Sequence, residues 1–296
     1  MKSIFRYPGG KSVLSVQKRI LQHKPENITE YREPFVGGGG IFFALEPLEA
    51  RWINDADQNL MSVYIALQTR PDDFILNCRQ IEPEKKGEEK CSTKPGGKAL
   101  YNKRLKEQFD NFADNSECDQ ALRYFFINRT VWSGRVRYGV KSQMYYSKPE
   151  GWNIIKKDIL EKAAKHLKNV RITIGSYEHL LLEPSDKNCW IYCDPPYYVN
   201  STLPEKLKLY DHNFTFSDHQ LFADICKKSP HKICISYDDR PEVRAIYEKI
   251  GFNIHTASWV YGGTSSAKSI QNHIYMDDNN EKVGKKIGKE LIITNY

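Results

Sequence analysis

Four consecutive glycines, Gly37 to Gly40, follow directly on the extended run Tyr31–Val36, and this is the feature that most restricts the fold. Glycine lacks a Cβ, so such a run can turn tightly and let another group approach the main chain. After it, the apolar pattern predicts a helix from Ile41, a short strand at Arg51–Asn54, and a further helix starting after Asp55. Upstream, Gly9-Gly10 precedes a helical spacing of Val13, Val16, Ile20 and Leu21. Strand, glycine turn, helix, and a strand with an acidic end is the grammar of a mononucleotide-binding half of an α/β sheet. The glycines are not in GxGxxG form, and the GGKS near the amino terminus lacks P-loop spacing, so a P-loop NTPase is excluded.

From about Gln58 to Gly151 the pattern changes. Helical spacing dominates, through Leu60, Val63, Tyr64 and Leu67 and later Leu100, Leu105, Phe109 and Phe112. Residues 82–97 are polar and glycine-rich and read as an exposed loop. Beyond Gly151 the α/β alternation returns. A helix at Asn153–Leu167 leads to Val170–Ile174, and Trp190–Cys193 is a short buried strand. Then come a helix at Ser217–Lys227, a strand at Lys232–Ser236, a helix at Pro241–Ile250, and strands at Phe252–Trp259 and Leu291–Thr294. The expected division is an α/β domain of residues 1–57 and 152–296 interrupted by a mainly helical insert, 58–151.

Charge is concentrated in one part of the chain. Between Arg123 and Arg171 there are 12 Lys/Arg against 3 Asp/Glu, a surplus larger than the +7 of the whole chain. Part of this is a solvated helix face near Lys156–Lys168, but such a stretch also suits a phosphate backbone. The seven cysteines are scattered without a CxxC pair, and the eight histidines form no HxxxH or HExxH arrangement, so no metal site is expected. The start MKSIFRYPGGK is no signal peptide, and no apolar run reaches membrane-spanning length. A soluble, cytoplasmic protein is expected.

The sharpest chemical feature is Asp194-Pro195-Pro196-Tyr197, placed directly after the strand Trp190–Cys193. Ligands of open α/β sheets bind at the carboxyl ends of strands, and two prolines fix an extended turn there. The Asp194 carboxylate and the Pro195 carbonyl can both accept hydrogen bonds from one amino group. That draws an amine lone pair out of an aromatic ring and makes the nitrogen more nucleophilic, while Tyr197 can stack on the ring. The plain alternative is a proline turn with Asp194 as a helix cap. In Asn54-Asp55-Ala56-Asp57, some 18 residues after the first turn glycine, Asp55 is placed to accept from ribose hydroxyls, and Asp57 reads equally well as an N-cap.

FRYPGGK, EPFVGGGG, IND, a long gap and then DPPY, in that order, resemble the DNA adenine methylase family, the D12 class of N6-adenine-specific DNA methyltransferases with its target-recognition region between cofactor and catalytic motifs. SYDDRPEVRAIY and the closing ELIITNY resemble it too, and residues 76–117 match least. The resemblance implies an α/β, Rossmann-like S-adenosylmethionine-dependent methyltransferase sheet with an inserted, mainly helical target-recognition domain. It implies that Tyr7, Lys11, Phe35, Gly37, Asp55 and Asp194 contact S-adenosyl-L-methionine, with Lys11 reaching a carboxylate. Asp194, Pro195, Pro196 and Tyr197 would form the catalytic turn, acting on an adenine flipped out of double-stranded DNA. Asn128, Arg129, Arg135, Arg137, Tyr138 and Lys141 are the expected DNA contacts, because arginine reads guanine and asparagine adenine in bidentate fashion. Arg135 and Arg137 could instead meet only phosphates, which position without specifying.

The segment between Tyr198 and Phe216 reads as a loop able to close over the base. Cytosine N4 is the nearest rival target, but Ser or Thr more often precedes Pro-Pro there, and the NPPY form of protein glutamine methylation is absent. Methylation of RNA adenine, or a silent DNA-binding copy of the fold, are the other readings. A monomer is expected, working alone or beside a cognate restriction endonuclease.

Overall fold

The elements follow the apolar spacing closely, and a computed structural model shows how they are joined. It describes residues 1–7, 9, 11–81, 117–130, 154, 158–198, 214–260 and 287–296. In chain order the helices are α1 (Leu14–Leu21), α2 (Gln58–Thr69), α3 (Pro71–Gln80), α4 (Glu117–Thr130), α5 (Ile159–Leu167), α6 (Glu178–Leu182), α7 (Phe216–Lys228) and α8 (Pro241–Ile250). The strands are β1 (Glu30–Glu33), β2 (Ala50–Asp55), β3 (Arg171–Ile174), β4 (Cys189–Cys193), β5 (Lys232–Asp238), β6 (Asn253–Val260) and β7 (Ile287–Thr294). The chain divides into two compact units. One comprises Met1–Gly10, Gly37–Pro47 and Asp55–Gly175, and the other Lys11–Val36, Leu48–Asn54 and Ser176–Tyr296.

The second unit is built on a sheet in the order β2-β1-β4-β5-β7-β6. β1 pairs in parallel with β2 and β4, and β4 with β5, while β7 runs antiparallel to both β5 and β6. Parallel neighbours need crossover connections, and α7 lies in the one between β4 and β5. All five residues of β4 are buried, as a strand covered on both faces requires. α7 is held at its start by a capping box of Thr215 and Asp218, and α8 opens on Pro241 and stops at Gly251 in the left-handed conformation. The expected Rossmann-like α/β fold is present. β7 lies between β5 and β6, although it closes the chain.

In the first unit α2 packs against α4 and α5. Its buried face carries Leu60, Val63, Tyr64 and Leu67, the residues whose spacing marked it as a helix. Asp57 is the N-cap of α2, accepting from the N–H groups of Asn59 and Leu60 at 3.0 and 3.1 Å, so the capping reading of Asp57 holds. The helix expected from Ile41 is only a 3-10 turn, Phe42–Ala44. Ile41, Phe42 and Phe43 are all fully buried, so the segment is apolar on every side instead of striped. The turn ends at Leu45, whose backbone is already extended. Of the expected insert, 58–151, the parts at 82–116 and 131–151 lie outside the described residues.

Candidate active site

Asp194 stands at the carboxyl end of β4, the buried strand between β1 and β5. Its two carboxylate oxygens accept from the Lys11 ammonium at 2.8 and 3.0 Å. Ser236, on the parallel neighbour β5, donates to Asp194 Oδ1 at 2.8 Å, and the Ser236 hydroxyl shares a 2.8 Å hydrogen bond with the Tyr192 hydroxyl. Lys11 also donates to the Tyr197 hydroxyl at 2.7 Å, and its Nζ lies 4.9 Å from the centre of that ring. The Tyr197 hydroxyl donates to Glu290 Oε2 at 2.9 Å, and Lys11 Nζ is 3.9 Å from the same oxygen.

Burial pulls the pKa of Lys11 down. Asp194, then Glu290, outweigh that burial and hold its pKa above the usual lysine value. Lys11 is therefore an ammonium at neutral pH, and Asp194 keeps a partly open side chain beside it, 21% exposed.

The turn after β1 is fixed from β2: Val36 N–H donates to the Asn54 carbonyl at 2.9 Å, and Asn54 Nδ2 to the Pro34 carbonyl at 3.1 Å. This sets the partly buried ring of Phe35 beside Tyr177, Phe214 and Phe222, with centroids 5.2 to 6.0 Å apart. Glu33, at the end of β1, is buried and accepts from the Tyr31 hydroxyl at 2.6 Å.

The first unit holds the rest of the described site residues. Gly37 has a φ of +45°, which only glycine adopts readily, and its N–H donates to Asp55 Oδ2 at 2.8 Å. Its carbonyl accepts from the Tyr64 hydroxyl at 2.9 Å. Asp55 Oδ1 accepts from Asp57 N–H at 3.0 Å. Burial lifts the Asp55 carboxyl to a pKa of about 6, against the opposing pull of the Asp57 and Gly37 N–H groups.

The close approach expected of the glycine turn is made by the protein's own side chains. A Cβ on Gly37 would lie 2.9 Å from the Tyr7 ring, and one on Gly38 would lie 2.8 Å from Tyr7 Cβ. One on Gly39 would lie 2.7 Å from the Tyr64 hydroxyl. The Asn128 side chain is fully buried on α4 and clamps the backbone of Arg6 at two points, with Arg6 N–H donating to Asn128 Oδ1 at 3.0 Å and Asn128 Nδ2 to the Arg6 carbonyl at 2.8 Å. Arg129 donates to the Ile4 carbonyl at 3.2 Å, and burial, with Arg6 nearby, lowers its pKa to about 10.

Arg135, Arg137, Tyr138 and Lys141 lie outside the described residues, as do Pro8, Gly10 and most of the segment between Tyr198 and Phe216. Sequence reasoning missed Ser236 and Glu290. Glu290 did carry a signal, since a lone carboxylate opens the otherwise apolar run ELIIT. Among the described residues no group of three or more His, Cys, Asp or Glu could hold a metal, and no helix is long and apolar enough to cross a membrane.

Asp194 thus lies at the carboxyl end of a central strand, where open α/β sheets bind their ligands. The chain belongs to the D12 class of N6 adenine-specific DNA methyltransferases, whose family profile it matches over residues 7–262. It is 26% identical over 306 residues to the Type II methyltransferase M1.LlaDCHI of Lactococcus lactis subsp. cremoris, spanning 100% of this chain and 96% of that protein. It is 30% identical to the Type II methyltransferase M.MjaIII of Methanocaldococcus jannaschii, over 67% of this chain and 69% of that one. The DNA adenine methylase of Vibrio cholerae is 26% identical, over 87% of this chain and 88% of its own length. The enzyme is thus an adenine-specific DNA methyltransferase, with DNA as its substrate and a methyl donor as its second substrate.

Proposed function

We propose that the chain transfers a methyl group from S-adenosyl-L-methionine to the N6 amino group of an adenine flipped out of duplex DNA. The observation that carries this reading is that the Asp194 oxygens already accept hydrogens from a nitrogen, that of Lys11, at the end of β4. A substrate amine offers the same kind of N–H donor. Asp194 and the Pro195 carbonyl would accept its two hydrogens, leaving the nitrogen lone pair free of the ring and aimed at an incoming carbon. Pro196 keeps the turn extended, and Tyr197 stacks on the base. Asp194 is held for this task by Ser236, which fixes one oxygen from β5.

S-adenosylmethionine supplies a methyl group already activated on a sulfonium. The residues suit it. The Asp55 carboxylate is partly exposed and can accept from ribose hydroxyls, and the partly buried Phe35 ring offers an apolar face for adenine. Tyr7, Lys11 and Gly37 are the further contacts of this reading.

Residues 58–151 are proposed as the target-recognition part, with Arg135, Arg137, Tyr138 and Lys141 meeting DNA and Asn128 and Arg129 at the end of α4 as the remaining contacts. Loss of specificity at one base position in Arg135→Ala or Arg137→Ala would mark a base contact, whereas uniformly weaker binding would mark a phosphate contact. Pairing with a cognate restriction endonuclease is the setting suggested by the relatives named Type II methyltransferases. The test of the reaction is transfer of labelled methyl from S-adenosylmethionine to unmethylated genomic DNA, followed by nucleoside analysis. N6-methyladenine is expected. N4-methylcytosine or an unmodified product would overturn the reading.

A further inference from the structure

Beside the Asp194–Lys11 pair stands a second carboxylate that the transfer chemistry above does not use. This carboxylate, Glu290, is fully buried on β7. It accepts from the Tyr197 hydroxyl at 2.9 Å and lies 3.9 Å from Lys11 Nζ, while Lys11 itself spans Asp194 and Tyr197. A carboxylate without solvent needs a reason to remain in a core.

We propose that Glu290 is a positioning residue for methyl transfer. It cancels the charge of Lys11, so that Asp194 keeps its own negative charge for the substrate amine, and it retains Lys11 and the Tyr197 hydroxyl when that amine takes the place of Lys11 on Asp194. The proposal rests on the reading of Asp194 as the amine acceptor. During transfer the nitrogen forms a bond to the methyl carbon, the carbon–sulfur bond breaks with its electron pair going to sulfur, and the nitrogen is cationic until it loses a proton to solvent. An ammonium beside that nitrogen opposes the change, and a carboxylate bound to the ammonium removes the opposition. The raised pKa of Lys11, in which Asp194 and Glu290 both act against burial, is what this balance of charges produces.

The test compares Glu290→Gln, Lys11→Met and the double variant with the full-length enzyme. Read in each are the single-turnover rate of methyl transfer to unmethylated duplex DNA and the affinities for DNA and for S-adenosylmethionine. Glu290→Gln should slow transfer by about tenfold or more while both affinities stay within about twofold. With Lys11→Met already present, the further loss should shrink below about threefold, since the Lys11 charge that Glu290 cancels is gone. A wild-type rate in Glu290→Gln, or the same fold loss with and without Lys11, would overturn the proposal. Should Glu290→Gln not fold, Lys11→Met against the double variant decides, because both lack the stranded ammonium: a tenfold further loss there overturns the role, and parity supports it. Asp194→Ala separates the two layers. If it turns over normally, the acceptor reading has failed. If it is silent while Glu290→Gln is unaffected, only the role of Glu290 has failed.

Discussion

The Asp194 region and the Gly37–Asp55 region are both marked in the sequence by short motifs, yet they are built in opposite ways. The glycine turn closes on near neighbours: Gly37 meets Asp55 and Tyr64, 18 and 27 residues away. Asp194 and Tyr197 depend on partners far along the chain, Lys11 at 183 residues and Glu290 at 93. The first is a piece of local backbone geometry held by main-chain N–H groups. The second is an assembled charge cluster whose members lie in separate strands and a loop. Substitutions should therefore fail differently, the local turn through strain and stability, the cluster through chemistry.

The sharpest way to break that contrast is Asp194→Ala. Transfer is expected to fall by about 10³-fold or more, the scale of losing an electrostatic group at a reacting atom. The fold should survive, because Lys11 keeps Glu290 as a counter-charge. Near-normal turnover by a folded variant, measured with labelled cofactor, would remove Asp194 from the reaction.

Gly37→Ala should act the other way. The φ of +45° and the Tyr7 ring 2.9 Å from the added Cβ together should cost about 2–3 kcal/mol of stability. Adding Tyr7→Ala relieves the contact but not the backbone strain, so part of the loss should return in thermal unfolding. A fully restored double variant would show that the contact alone matters, and a neutral Gly37→Ala would show that the turn is softer than its geometry.

Asn128→Ala is expected to cost about 1–3 kcal/mol, because it leaves both backbone groups of Arg6 without their side-chain partner. Denaturant unfolding reads this directly. A loss of activity without any loss of stability would instead show that Asn128 serves DNA contact and not the clamp on Arg6.

These effects map onto what could be read beforehand. The strand ends at Asp55 and Asp194 were legible because short apolar runs stop at them, and the parallel pairing of β4 with β5 fits the helix between them. The helix expected after Ile41 was misread because Ile41, Phe42 and Phe43 are apolar on all sides, where period carries no information. Ser236 and Glu290 were not found because nothing local to either names its partner: one hydroxyl and one carboxylate in apolar strands become informative only when β4, β5 and β7 are side by side. Tyr7 was assigned to cofactor by motif, and its packing on Gly37 and Gly38 could not be seen from a distance of thirty residues in sequence.

The smallest effect tests whether the Asp55 region is a binding site at all. Burial raises the Asp55 carboxyl from 3.8 to about 6, so it is ionised only above that pH. For the fold the sign is that of a raised acid: its ionisation costs stability, which is greatest below the unfolded value and declines as pH rises through about 6. For a ligand that donates hydroxyls to the carboxylate the sign reverses, and affinity is full above about 6 and declines below it. Affinity for S-adenosylhomocysteine, measured by calorimetry, should therefore be about tenfold weaker at pH 5 than at pH 7. Asp55→Asn should bind weakly at both values with this dependence gone, since an amide does not titrate. A wild-type profile that stays flat from pH 7 to 5 would mean that the carboxylate serves only Gly37 and Asp57, and the local turn would then be structural where the assembled cluster is chemical.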